Sequence, residues 1–223
     1  MNTTPHAVLL DMDGTLVDTE RLWLRAVGEE ALGLGLALTD ADRAAVLGRS
    51  IDDGAAHLAA RAAGPADPAR LGASLEERFT ELVRGRVVPL PGAAELLTAL
   101  SAAGIPTALV SASPRPVVDT VLDALGRHLF TTSVAEGETP RTKPFPDPYR
   151  EALARLGLAP GDCVAVEDSP TGVASAEAAG CAVVAVPAHA AAVAALTPAP
   201  GRAVVGSLLD VDLALLGRLV ADG

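Results

Sequence analysis

Aromatic side chains are scarce in this chain of 223 residues, with one Trp, one Tyr and three Phe. An interior built on stacked rings is excluded, and Ala, Val and Leu must fill the core. Lysine is scarcer still, with Lys143 standing alone beside 16 arginines. No run of basic residues occurs and the net charge is -11, which argues against nucleic acid or an anionic membrane surface as the main partner. Only two cysteines are present, Cys163 and Cys181, both in strand-like apolar runs without CxxC or His-rich spacing. Buried free thiols in a reducing compartment are expected. The longest greasy stretch, residues 181–196, contains Pro187 and His189 and falls short of the ~18 to 20 apolar residues of a membrane span. The first ten residues lack a basic start, and their apolar stretch stops at Asp11, so no secretory signal is expected. A soluble, cytoplasmic protein is expected, as a monomer or weak homodimer.

Half of the residues are apolar, and they fall in short runs at 7–10, 107–110, 163–166, 182–186 and 203–205. Helix-length segments separate most of them. Strands hydrophobic on both faces, alternating with helices, indicate a parallel sheet covered on each side, a doubly wound Rossmann-like α/β core. The alternation fails once, where about 95 residues separate the first run from the second. Segments 20–32, 51–63 and 69–84 within that gap carry helical periodicity, with Trp23, Val27 and Ala31 on one face of the first. A four-helix insert is expected, with residues 18–87 as a helical cap and residues 1–17 and 88–223 as the α/β core.

Asp11-Met12-Asp13-Gly14-Thr15 ends the first run, placing two carboxylates at the carboxyl end of a buried strand, where open α/β sheets bind ligands. Carboxylates so close are tolerable if a cation screens them or one holds a proton. The same pentapeptide also suits a polar turn. The second strand runs into Ser111-Ala112-Ser113-Pro114-Arg115, where Ser113 is expected to cap a helix begun by Pro114, leaving Ser111 at its positive end. Such an end accepts a phosphate, or is simply a cap. Lys143 sits in Thr142-Lys143-Pro144-Phe145-Pro146-Asp147-Pro148, a loop stiffened by three prolines, with Asp147 expected to cap the next helix. A compact ammonium held this way suits a phosphoryl oxygen. Glu167-Asp168-Ser169-Pro170 follows the third long run, with Ser169 as its expected cap. Oxygen ligands from Asp11, Asp168 and a turn carbonyl describe a hard octahedral site of the kind Mg2+ occupies. Zinc would want His or Cys, and His6, His57, His128 and His189 are scattered.

With Asp11 to Thr15, Ser111, Lys143 before Pro-x-Pro-Asp, and Glu167-Asp168, the chain resembles the haloacid-dehalogenase-like hydrolase superfamily, in its helical-cap subgroup. The likeness spans essentially the whole sequence. It implies Asp11 as the nucleophile that forms an aspartyl phosphate, Asp13 as acid and then base, and Ser111 and Lys143 on the phosphoryl oxygens. It further implies Mg2+ on Asp11, the Asp13 carbonyl and Asp168, with Glu167 partly through water. The segment Asp18 to Trp23 is similar to cap segments of sugar-phosphate phosphatases, which makes a small sugar or polyol phosphate the expected substrate. Glu20, Trp23, Arg49 and Ala112 are the expected substrate contacts, with Trp23 equally suited to the cap core. Sugar phosphomutases of the β-phosphoglucomutase type share these core motifs but carry a Lys and an Arg where this chain has Leu47 and Ile51. A non-catalytic binding module on the same fold would have lost a motif carboxylate or the lysine, and none is lost.

Overall fold

The computed structural model describes residues 4–187 and 190–221; Ala188 and His189 lie outside them. Six strands form one sheet: β1 (Ala7–Leu10), β2 (Thr107–Val110), β3 (Thr132–Val134), β4 (Cys163–Glu167), β5 (Ala182–Ala185) and β6 (Arg202–Val204). Their order is β3-β2-β1-β4-β5-β6 and every pairing is parallel. The run expected at 203–205 starts one residue earlier. β3 has no counterpart among the sequence runs, because Thr132 and Ser133 are only half-buried on an edge strand and leave no continuous apolar signal.

Burial on both faces explains why β1 is apolar throughout and β4 is apolar up to Glu167. Val8, Leu10, Val164 and Val166 point to one core layer, whereas Ala7, Leu9, Cys163 and Ala165 point to the other. Helices α5 (Ala93–Ala102), α6 (Arg115–Leu125) and α10 (Leu213–Ala221) contribute Leu97, Val121 and Leu216 to the first layer. Helices α7 (Asp147–Leu156) and α8 (Pro170–Ala179) contribute Leu153 and Ala176 to the second, as does Ala192 of the short α9 (Ala190–Ala195). Both cysteines are free and buried in that second layer.

Between β1 and α5 lie four helices, α1 (Glu20–Gly33), α2 (Asp40–Val46), α3 (Ile51–Arg61) and α4 (Pro68–Val83). Trp23, Val27, Leu58, Leu75 and Phe79 bury their apolar faces against one another. The Trp23 and Phe79 rings meet edge to face with centroids 5.5 Å apart. Asp42 is buried at the start of α2, where it closes a capping box with Thr39 and accepts from His57 at 2.8 Å and from Arg61. His57 therefore belongs to the packing of this helical layer. The chain enters and leaves the layer through adjacent segments: the Asp18 N–H donates to the Val88 carbonyl and the Leu90 N–H to the Leu16 carbonyl. Among the described residues, no helix is long and apolar enough to cross a membrane.

Candidate active site

The sheet order reverses beside β1, with β2 and β3 to one side and β4 to β6 to the other. A crevice therefore opens at the carboxyl ends of β1, β2 and β4. Asp11 follows β1 directly and its N–H is fixed to the Val166 carbonyl. Gly14 turns the chain with φ +81°, and a β-carbon there would lie 2.5 Å from Asp168 Oδ2. Only glycine satisfies both the positive φ and this close approach.

Four separated stretches meet in the crevice. Lys143 Nζ donates to Asp11 Oδ1 at 2.6 Å, to Glu167 Oε1 at 2.5 Å and to the Val110 carbonyl at 2.9 Å. The Lys143–Pro144 peptide is cis. Ser111 Oγ and Ser113 Oγ each donate to Asp13 Oδ2 at 2.9 Å, and Thr19 Oγ1 donates to Asp13 Oδ1. Ser113 is thus not the expected helix cap: Pro114 occupies that position without a side-chain bond, because the Ser113 hydroxyl serves Asp13. Asp147 is likewise not a cap but the first residue of α7, and its carboxylate takes two bonds from Arg141. Ser169 does cap α8, accepting from the Gly172 N–H.

Charge dominates the site, since four carboxylates surround one ammonium. Burial acts to lower the Lys143 pKa, but the touching carboxylates of Asp11 and Glu167 outweigh it and raise it. The ammonium stays charged. Asp13 is raised above the ordinary carboxylate range, first by burial and then by Asp11, against the pull of its three hydroxyl donors. Asp168 is raised well above that range by burial and by Asp11 and Glu167. Carboxylate atoms of Asp11, Glu167 and Asp168 lie within 4.8 Å of one another. Asp11 Oδ2 is buried with no hydrogen-bond partner among the described residues. An orphaned oxygen amid surplus negative charge, with an all-oxygen donor set, fits a hard divalent cation.

Glu167 is fully buried and held from more than one side. Its Oε1 also accepts from the Tyr149 hydroxyl at 2.7 Å, and the Tyr149 ring centroid lies 5.3 Å from Lys143 Nζ. Tyr149, Thr19 and the bond of Ser113 to Asp13 are contacts that the sequence motifs do not include. Tyr149 carried a signal, as the single Tyr six positions beyond the single Lys. Thr19 and Ser113 carried none, because hydroxyls recur throughout the chain.

One cavity joins this crevice to the helical layer. Asp11, Asp13, Lys143, Asp168 and Ala112 line its floor; Glu20, Trp23, Arg49, Asp53 and Phe79 line its roof. All four expected substrate contacts therefore border the cavity. Trp23 is 6% exposed within the helical layer, donates Nε1–H to the Val46 carbonyl at 2.9 Å, and also lines the cavity. Asp53, Phe79, Thr142 and Thr171 are lining residues that the sequence did not single out.

Fold and site together define an α/β enzyme with an acidic cavity at the switch point of its sheet. The chain belongs to the haloacid dehalogenase-like hydrolase family, whose model matches residues 5–180. It is similar to protein CbbY of Rhodobacter capsulatus, with 35% identity over 81% of this chain and 85% of that one. It is also similar to hexitol phosphatase A of Escherichia coli, with 38% identity over 80% of this chain and 81% of that one. Among solved structures, a CbbY mutant from Rhodobacter sphaeroides in complex with xylulose-(1,5)bisphosphate superposes with a TM-score of 0.81 at 28% identity, covering 92% of this chain and 96% of that one.

Proposed function

We propose that the protein is a Mg2+-dependent phosphatase that hydrolyses a small sugar or polyol phosphate through an aspartyl phosphate on Asp11, with residues 18–87 as its cap. The observation that carries this reading is the pairing of Asp11, held on one oxygen by Lys143, with a raised-pKa Asp13 two residues away. Lys143 fixes one Asp11 oxygen in the crevice while Asp13 is biased toward its acid form, which suits a positioned nucleophile and an acid for the leaving group.

In the first step an Asp11 oxygen bonds to phosphorus, the bond to the ester oxygen breaks, and the Asp13 proton goes to the departing alkoxide. In the second, water attacks phosphorus, returns a proton to Asp13, and phosphate leaves as the Asp11 carboxylate is restored. Ser111 can turn from Asp13 to a phosphoryl oxygen while Ser113 and Thr19 keep Asp13 aimed. Lys143 neutralises charge on the transferring group. Asp11, Asp168 and the Asp13 carbonyl would hold Mg2+, with Glu167 orienting Lys143 and bordering the metal; the ion would offset phosphoryl charge. The roof closes the cavity from bulk water. Relatives named as phosphatases support the reading.

Phosphate release over a panel of sugar and polyol monophosphates, with and without Mg2+, tests it. Asp11→Asn is expected to fold normally and lose turnover, because the amide keeps the shape but does not attack; silence across the panel, or ordinary turnover in that variant, refutes the assignment. A mutase would interconvert sugar phosphates with little free phosphate, which NMR of the products distinguishes.

A further inference from the structure

The roof of the cavity has an uneven charge. Among the described residues, Arg49 is its one cation, set against the carboxylates of Glu20 and Asp53. Trp23, Ile51 and Phe79 give the roof its apolar surface, beside the hydroxyl-bearing Thr19 and Ser50. The place where a second anionic group would most naturally dock is the start of α3, because a helix N-terminus offers free N–H groups and positive potential. That place is taken. The Ser50 hydroxyl accepts from the Asp53 N–H, Asp52 and Asp53 occupy the first turn, and the Ile51 N–H is directed at the Glu136 carboxylate.

Glu136 comes from the α/β core, on the loop after β3, and its backbone N–H is tied to the Ser113 carbonyl at 2.9 Å. Its carboxyl lies within electrostatic reach of Asp52, Asp53 and Glu76, which belong to the helical layer. Burial, then the charges of Asp52, Glu76 and Asp53, push its pKa up to about 7. The core thus adds a carboxylate to the first turn of α3, which is already acidic, and the region repels a further anion.

We propose that this cavity selects monophosphate esters whose remainder is uncharged and rich in hydroxyls, and that Asp53, backed by Glu136, rejects a second phosphate. The inference rests on the phosphatase reading above. A polyol or sugar body suits the same walls, since its hydroxyls can donate to Glu20 and Asp53 while its C–H faces lie on Trp23 and Phe79. Glucose-sized bodies carrying a second phosphate would place two negative charges against that acidic turn with one arginine to offset them.

The test compares kcat/KM for a hexitol 6-phosphate and for xylulose 1,5-bisphosphate, measured by phosphate release. The monophosphate is expected to be favoured by about tenfold or more, equivalent to about 1.4 kcal/mol. Asp53→Asn and Glu136→Gln should each raise the bisphosphate-to-monophosphate ratio by about tenfold, the scale of one nearby like charge in a partly screened site. A measurement on the unaltered enzyme guards against misfolded variants: added salt should narrow the preference, because the rejection is coulombic. Equal or better turnover of the bisphosphate, or a preference indifferent to salt and to both substitutions, overturns the inference and leaves the phosphatase reading standing. Absence of phosphate from both esters and from the wider panel removes both.

Discussion

Replacing Lys143 by Met tests the electrostatic frame of the site most directly. The side chain keeps its reach and apolar stem but loses the charge that lies 2.6 Å from Asp11 and 2.5 Å from Glu167. All three side chains are at most 7% exposed, so water does not replace the lost partner. Removing one partner of a buried ion pair costs about 3–5 kcal/mol, because the remaining charge stays desolvated. That cost should depend on pH with a definite sign. Glu167 is raised by burial first and then by Asp11, and Lys143 is the largest influence lowering it. Without the ammonium it rises further. A carboxyl whose folded pKa exceeds its unfolded one contributes stability below the unfolded value and loses it as pH climbs through the folded value. The variant should therefore be least stable relative to the parent at about pH 8, with the deficit shrinking toward about pH 5 as the buried carboxyls take up protons. Urea unfolding followed by far-UV circular dichroism at both pH values measures it. A deficit under about 1 kcal/mol at both values, or one that grows on acidification, would refute the reasoning. Phosphate release should fall by about 10² to 10³ in kcat, the usual scale for losing one preorganised charge partner.

Gly172→Ala should lower the melting temperature and turnover together, since a β-carbon there would overlap the Glu167 carboxylate. Overpacking of this kind costs about 1–3 kcal/mol, whereas Gly to Ala inside a helix ordinarily gains up to about 1 kcal/mol. An unchanged or raised melting temperature would therefore sink it. Mg2+ at about 100 times its dissociation constant should stabilise the fold by about 2.7 kcal/mol in a thermal melt. Asp168→Asn should lose that shift, and a parent protein indifferent to Mg2+ would contradict the assigned ligands. Glu136 is raised from 4.5 to about 7, so the stability it lends below its unfolded value should be lost as pH climbs to about 7. Subtracting the urea stability of Glu136→Gln from that of the parent should leave a difference that declines over this range; parallel curves would refute it.

The sequence by itself determined the class of fold and the identity of the motif residues. Strands buried on two faces are apolar over most of their length, so β1, β2, β4 and β5 announced themselves, and the long gap after β1 announced the helical insert. Asp11, Asp13, Lys143, Glu167 and Asp168 were legible because each ends a buried strand or stands alone in composition. Tertiary structure decided which hydroxyl serves which carboxylate. Ser113 and Asp147 sit where helix caps are common, yet each found a stronger partner in Asp13 and Arg141. β3 is half-exposed and left no apolar run. Glu136 meets α3, and Tyr149 meets Glu167, only after folding. Local pattern records the periodicity of burial, which acts between neighbours a few residues apart; the Lys143 to Asp11 bond joins residues 132 positions apart, and only the folded chain brings them within reach.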